Sequence, residues 1–273
     1  MGARRPHLPV WATRSRVAAP LASTCWPALA RFDILAPMPD YAKIGPTALV
    51  TAYAWHRLGM PYGQLFATRK GAAMFWTFEG SVGWATRFFP VPSLLDYLEF
   101  RHRMIEAQLE RLAPDRIIEL GAGLSRRGIT WALDRQVPYV EIDLPHMSAA
   151  KRAIFADAPG RVQAALHEQL LRLVSTNILA PSFADELAEL LAGAKRPVIV
   201  SEGMLSYFSF TDAELLLRNL VAGLRAGGVG GHYITDLQRA DRERKAQLAA
   251  TVFRQAIRLA TKGQGRRLTL SQP

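Results

Sequence analysis

The stretch from Arg116 to Pro145, RIIELGAGLSRRGITWALDRQVPYVEIDLP, constrains the fold more than any other part of the chain. Ile117, Ile118 and Leu120 form an apolar run that ends in Gly121-Ala122-Gly123. A segment with helical spacing follows, and a second apolar run, Tyr139 to Ile142, stops at Asp143. Strand, glycine turn, helix, strand is the opening unit of a doubly wound α/β sheet. Small residues at 121–123 let the backbone approach a ligand closely, and the helix N-terminus beyond them offers unpaired N–H groups. An acidic side chain about 20 residues further on, at the tip of the next strand, can accept both hydroxyls of a ribose. The pattern reads as a site for a nucleoside-containing cofactor.

A dinucleotide fingerprint needs a third glycine three residues after the second. That place is Arg126, and Gly128 comes two residues too late. A nicotinamide or flavin enzyme is therefore disfavoured. A looser G-x-G turn suits S-adenosylmethionine (SAM), which brings no pyrophosphate. Downstream, Leu171 to Thr176 reads as a third strand ending at Asn177, Pro197 to Ser201 as a fourth with Glu202 at its end, and Val229 to Thr235 as a fifth weakened by Gly228, Gly230 and Gly231. Gly121–Gly123, Asp143, Asn177 and Glu202 thus each follow a strand at its C-terminal end, the edge where open α/β sheets bind ligands. Taken singly, Asp143 or Glu202 suits a helix N-cap equally well.

Helices alternate with these strands. Pro46 to Phe66 is helical with breaks at Gly59 and Pro61. Ser93 to Ala113 is a helix opened by a Ser93/Asp96 capping box, with Leu94, Leu98, Ile105, Leu109 and Leu112 toward one face. Ser148 to Ala158 is helical, and 182–193 carries Phe183, Leu187, Leu190 and Leu191 on one stripe before Gly193. Thr211 and Glu214 form a second capping-box pattern, before a helix expected to turn Leu217, Leu220, Val221 and Leu224 to the sheet. A charged helix is expected over 240–260. Residues 71–90, rich in Phe and Trp, suit either core packing or the wall of an acceptor pocket.

Charge invites a different reading. The chain carries a net charge of +11 over 273 residues, which suits a nucleic-acid partner. The excess is spread along the chain, however, with local clusters at Arg101/Arg103, Arg126/Arg127 and Arg266/Arg267, so a solvated basic surface is the expectation. The single cysteine, Cys25, rules out an intrachain disulfide and a cysteine zinc cage, and no metal site is expected. No uncharged apolar run reaches the ~18 residues of a membrane span. His167-Glu168 lacks the second histidine of a metalloprotease helix, Leu171 standing in its place, and Ser125 sits in GLSRRG, one residue longer than a nucleophile elbow. Residues 1–37 are Pro-, Arg- and Ala-rich. A secretory leader with Ala28-Leu29-Ala30 at its cleavage site competes there with a disordered extension. Pro20, Ser23, Thr24 and Pro27 interrupt the apolar stretch and favour the extension.

ELGAGLSRRG, YVEIDLP and VIVSEGMLSYFS (198–209), with RHRMIEAQL (101–109) upstream, together resemble the leucine carboxyl methyltransferase family of class I SAM-dependent methyltransferases, nearest its bacterial branch of tetracenomycin-type polyketide O-methyltransferases. The resemblance spans roughly Thr47 to Asp236. It implies an α/β fold: a Rossmann-like sheet with helices on both faces, over 114–273, and a helical N-terminal cap over 38–113. It also implies a SAM site drawn from Arg101, Gly121, Ala122, Gly123, Asp143, Asn177, Ile178 and Glu202. Arg101 would grip the carboxylate of the cofactor's methionine end. Asn177 replaces the family's usual aspartate and would accept from the adenine amino group through its amide oxygen. The function implied is O-methylation of a carboxyl or hydroxyl group on a polyketide-like small molecule. A SAM-binding protein with little turnover and an RNA methyltransferase are the competing readings. The expected setting is cytoplasmic, with neither membrane nor nucleic acid as partner. No catalytic base is selected among His56, His102, His146 and His232. Such a sheet closes with a C-terminal strand hairpin, for which only Leu268 to Leu270 remains. The expected consequence is a fifth strand left as a sheet edge, so that either helix 240–260 folds back over it, or a second copy covers it in a homodimer, or the chain is a truncated product of impaired stability.

Overall fold

The computed structural model describes residues 45–88 and 93–236. The expectations for residues 1–37, for helix 240–260 and for the C-terminal hairpin lie outside the described residues. Five strands form one parallel sheet in the order β3-β2-β1-β4-β5: β1 Arg116–Leu120, β2 Tyr139–Asp143, β3 Leu171–Ser175, β4 Pro197–Ser201 and β5 His232–Thr235. This is the doubly wound arrangement expected from the sequence. The order reverses between β1 and β4, which are direct neighbours with Leu120 opposite Ser201. The switch point lies at their C-terminal ends, where such sheets form a crevice.

Because strand side chains alternate faces, the two faces can be read residue by residue. Ile117, Tyr139, Leu171, Val198 and Val200 point to one side. There they meet Ala52 of α1 (Gly45–Arg57), Ile105 and Leu109 of α3 (Leu94–Leu112), Ile129 and Trp131 of α4 (Arg127–Asp134), Phe155 of α5 (Pro145–Ala156) and Val162 of α6 (Gly160–His167). Ile118, Leu120, Val140, Ile142, Val174 and Ile199 point to the other side, against α7 (Phe183–Leu191) and α8 (Phe210–Ala226). Phe183, Leu187, Leu190 and Leu191 are all buried, as their spacing requires.

Local signals explain most boundaries. Ser93 accepts from the Asp96 N–H at 3.1 Å while Asp96 Oδ2 accepts from the Ser93 N–H at 3.2 Å, so the capping box of α3 is real. At α8 the box forms two residues earlier than expected, on Ser209 and Asp212 rather than Thr211 and Glu214. Leu220 and Leu224 pack inward as expected, but Leu217 and Val221 are 45% and 48% exposed, contrary to the expected face, and Leu216 is buried instead. The helix α5 starts at Pro145, three residues before the expected Ser148, because proline is well suited to a first helical turn. The strand β5 starts three residues later than the expected Val229, since Gly228 is left-handed at φ 62° and 229–231 run on outside the ladder. The helix α2 (Arg69–Phe88) carries the aromatic patch. Phe75 packs into a core with Ala54, Trp55, Met60 and Leu98, whereas Trp76 is 52% exposed with the Arg57 guanidinium 5.2 Å from its ring. No described helix is long and apolar enough to cross a membrane.

Candidate functional site

The residues singled out at the strand tips fall into two bonded groups. In the first, Asp143 ends β2 and hooks onto the glycine turn. Its Oδ2 accepts from the Gly123 N–H at 2.5 Å and its Oδ1 from the Leu144 N–H at 2.7 Å. The turn is anchored further by the Gly121 N–H donating to the Ile142 carbonyl at 2.8 Å. Burial raises the Asp143 carboxyl above the usual range, and the two backbone N–H groups pull it back. Each carboxylate oxygen keeps a second lone pair, so the acid still has acceptor capacity toward a diol. Asp143 is therefore both the anchor of the α5 start and a candidate ribose ligand.

Gly121 and Gly123 have φ of 63° and 52°, a region that side chains rarely adopt. A Cβ at Gly121 would meet Met204 Sδ at 2.8 Å, and one at Gly123 would meet the Ala48 Cβ at 3.3 Å. The close approach that these glycines permit is thus taken up by protein atoms from the loop after β4 and from the start of α1. Tyr207 holds that arrangement by donating to Thr47 Oγ1 at 3.0 Å. Ala122 is 6% exposed.

The second group surrounds Glu202, beyond β4. Its Oε1 accepts from Arg101 Nε at 2.9 Å and its Oε2 from Arg127 at 2.5 Å and lies 3.0 Å from His102 Nδ1. Burial would raise this carboxyl, but Arg101 and Arg127 outweigh it and hold the acid well below its ordinary range. Glu202 is not a helix cap. Arg101 also faces Asp236 at 3.3 Å, and Asp236 accepts from the Gly203 N–H at 2.9 Å, which ties the tips of β4 and β5 together. A guanidinium has five N–H donors, so Arg101 retains several for a ligand carboxylate.

Asn177 and Ile178 do not join either group. Asn177 Oδ1 accepts from the Leu179 N–H at 3.1 Å, an Asx turn within its own loop. The Ile178 carbonyl accepts from Asn219 Nδ2 of α8 at 3.0 Å.

The largest departure from the sequence reading lies under α4. Arg126 and Arg127 were expected on a solvated basic surface, yet they are 6% and 0% exposed. Arg127 meets three carboxylates: Glu106 at 2.8 Å, Glu119 at 2.5 Å and Glu202 at 2.5 Å. Burial disfavours its charge, and Glu119 and Glu202 more than compensate, so its pKa stands well above the ordinary value. Glu119 lies beside Glu141 in the β1–β2 register, on the helix-covered face. Tyr139 donates to Glu119 at 2.8 Å, and Lys151 pairs with Glu141 at 2.5 Å while donating to the Ser125 carbonyl at 2.6 Å. Burial raises the Glu141 carboxyl to about 7 against the pull of Lys151. A Cβ at Gly128 would overlap Glu141 Oε1, so Gly128 supplies the close helix–strand contact for which the third glycine of a dinucleotide fingerprint is used. The signal for this buried polar strip was present in the sequence. Each strand carries one glutamate on the same side, and a cation follows in the next helix.

Of the four histidines considered as bases, His56, His146 and His232 are exposed, and His102 is 1% exposed. Its Nε2 lies 3.1 Å from an Arg126 N–H donor and 3.7 Å from Glu106 Oε1. Its Nδ1 lies 3.0 Å from Glu202 Oε2 and 2.8 Å from Arg127 Nη2, so each ring nitrogen faces an arginine donor and Nδ1 also meets the Glu202 carboxylate. Burial, and then Arg127, lower its pKa and keep it neutral at pH 7. His102 is therefore a structural link between Glu202 and Arg126. Among the described residues no group of three or more His, Cys, Asp or Glu is placed to hold a metal ion.

The sheet order and the residues at its strand tips define an open, doubly wound α/β protein. The family model described as leucine carboxyl methyltransferase matches residues 58–221, more than half of the chain, and the chain belongs to that family. No curated protein matches it. Solved structures similar to it include the glycopeptide N-methyltransferase MtfA complexed with sinefungin, at 20% identity over 50% of this chain and 49% of that one, TM-score 0.35. A putative O-methyltransferase from Nostoc punctiforme is 14% identical over 61% and 45% of the two chains, TM-score 0.42. An O-methyltransferase family protein from Burkholderia thailandensis is 16% identical over 61% and 49%, TM-score 0.38. The chain spans about half the length of these structures.

Proposed function

We propose that the protein is a SAM-dependent O-methyltransferase whose acceptor is a carboxyl or hydroxyl group on a small, polyketide-like molecule. The observation that carries this reading is the bond from the Gly123 N–H to Asp143 Oδ2, which fixes an acid with spare lone pairs beside the glycine turn. Family membership supports it. The residues present fit the cofactor. Asp143 would take the ribose hydroxyls, and Arg101, with donors to spare beyond Glu202 and Asp236, would take the carboxylate of the methionine end. Asn177 keeps one lone pair on its amide oxygen for an adenine amino group. Bound SAM supplies an activated methyl group on a sulfonium. The protein's part is then to orient donor and acceptor and to exclude water. A carboxylate acceptor is nucleophilic at neutral pH without a base, which accords with a site whose one buried histidine is committed to Glu202 and Arg126.

Calorimetric titration with SAM, S-adenosylhomocysteine and NAD tests the cofactor. The two adenosyl compounds should bind, with NAD far weaker, and equal affinity for NAD would overturn the reading. Asp143→Ala leaves ribose hydroxyls without a charged acceptor, an interaction worth about 1.5–3 kcal/mol. SAM affinity should fall at least tenfold with the circular dichroism spectrum unchanged. Methyl transfer from labelled SAM to a panel of aromatic acids and phenols then tests the acceptor.

A further inference from the structure

Arg126 and Arg127 are adjacent in the chain, and both are buried, but their surroundings differ. Arg127 shares three carboxylates. Among the described residues Arg126 has none within ion-pair distance. One terminal nitrogen donates to Thr130 Oγ1 at 2.9 Å and the other to His102 Nε2 at 3.1 Å, and its Nε–H has no hydrogen-bond partner. A guanidinium that is 6% exposed with no carboxylate in contact carries a desolvation cost, which holds its pKa below the ordinary value because Glu106 and Glu202 offset it only in part. The side chain lines a cavity of about 270 Å³. The apolar wall of that cavity is Leu58, Met60 and Pro61 with Gly59 between them, and its polar wall is His102, Arg103, Glu106 and Arg126. Glu106 attracts Arg126 across the cavity without an ion pair to it, its two oxygens accepting from Arg127 Nε at 2.8 Å and Trp131 Nε1 at 3.0 Å.

A buried cation without an ion-pair partner, facing an amphipathic cavity, selects an amphipathic anion. We propose that this cavity binds a small organic carboxylate, with its anionic end on the Arg126 guanidinium and its apolar body against Leu58, Met60 and Pro61. The volume is just under the usual range for small-molecule sites, about 300–1,000 Å³, so the ligand is an acid with a body of about one ring. A planar guanidinium with three N–H donors to spare suits a bidentate pair with a carboxylate. Arg126 and the apolar wall lie outside the set expected to hold SAM, so the proposal stands or falls independently of the cofactor reading. His102 forms the shared wall, with one nitrogen on Arg126 and the other on Glu202.

The test is calorimetric titration of the full chain with benzoate and with benzamide, its neutral isostere. Benzoate should bind saturably and benzamide at least tenfold more weakly. Arg126→Met should weaken benzoate at least tenfold. Met60→Trp, which fills the cavity and leaves the guanidinium in place, should do the same. No saturable benzoate binding, equal binding of benzamide, or unchanged benzoate affinity in Arg126→Met would overturn the proposal. Should Arg126→Met fail to fold, the wild-type comparison and Met60→Trp decide it alone.

Discussion

At the scale of single residues, the molecule is organised around charges taken out of water. Arg127 is the centre of that arrangement, since Glu106, Glu119 and Glu202 all spend oxygens on it. Removing one partner of a buried ion pair leaves the others uncompensated, at a cost of about 3–5 kcal/mol. Arg127→Met should therefore lower the unfolding free energy by that order in denaturant titration, and a loss below about 1 kcal/mol would show that the network contributes little. The Glu141–Lys151 pair gives a prediction in pH. The folded-state pKa of Glu141 is raised to about 7 from 4.5 unfolded, so between those values the folded chain holds the extra proton. Its contribution to stability is complete below about pH 4.5 and is lost as the pH rises to about 7. At 1.36 kcal/mol per unit this amounts to roughly 3 kcal/mol at most. Comparing unfolding free energies across that window for the wild type and the Glu141→Gln, Lys151→Met double variant isolates it. The double variant should show a less negative slope with pH, and parallel curves would remove Glu141 from the account.

At the scale of elements, a cap sets where a helix begins, and packing decides which face it buries. The box expected on Thr211 and Glu214 forms instead on Ser209 and Asp212. Starting at Phe210 places Leu216 and Leu220 against Leu187 and Leu190 of α7, within one buried cluster. Leu220→Ala should then cost about 2–5 kcal/mol, as for other buried leucines. Leu217→Ala, at 45% exposure, should cost well under 1 kcal/mol. Chemical denaturation of the two variants checks both values, and equal losses would restore the face first read from the sequence.

At the scale of the whole molecule, ligand binding and folding are linked. The proposed cofactor residues come from α3, the β1–α4 turn and the tips of β2, β3 and β4, so few of them remain assembled in the unfolded chain. A ligand that binds only the folded state at a hundred times its Kd adds about 2.7 kcal/mol. For a chain of this length that corresponds to a melting shift of roughly 5–10 °C. Scanning calorimetry with saturating SAM should show the shift, and NAD at the same concentration should not. An unmoved transition with SAM would count against the proposed function.

The sequence by itself determined the parallel α/β sheet, its five strands, the glycine turn and the acid that meets it, because these rest on local periodicity and on one short-range spacing. It also located Arg101 and Glu202 without showing that they bond to each other. The tertiary structure alone decided where the charges went. An arginine pair in a basic chain looks like surface until two glutamates on neighbouring strands, 22 residues apart but side by side in the register, are seen to lie beneath the helices that follow them. Contacts of that kind depend on which faces the folded elements present to one another, and no periodicity within a single segment encodes them. The same reason separates Arg126 from Arg127. Adjacent and chemically identical in the sequence, they differ only in what the fold places opposite each.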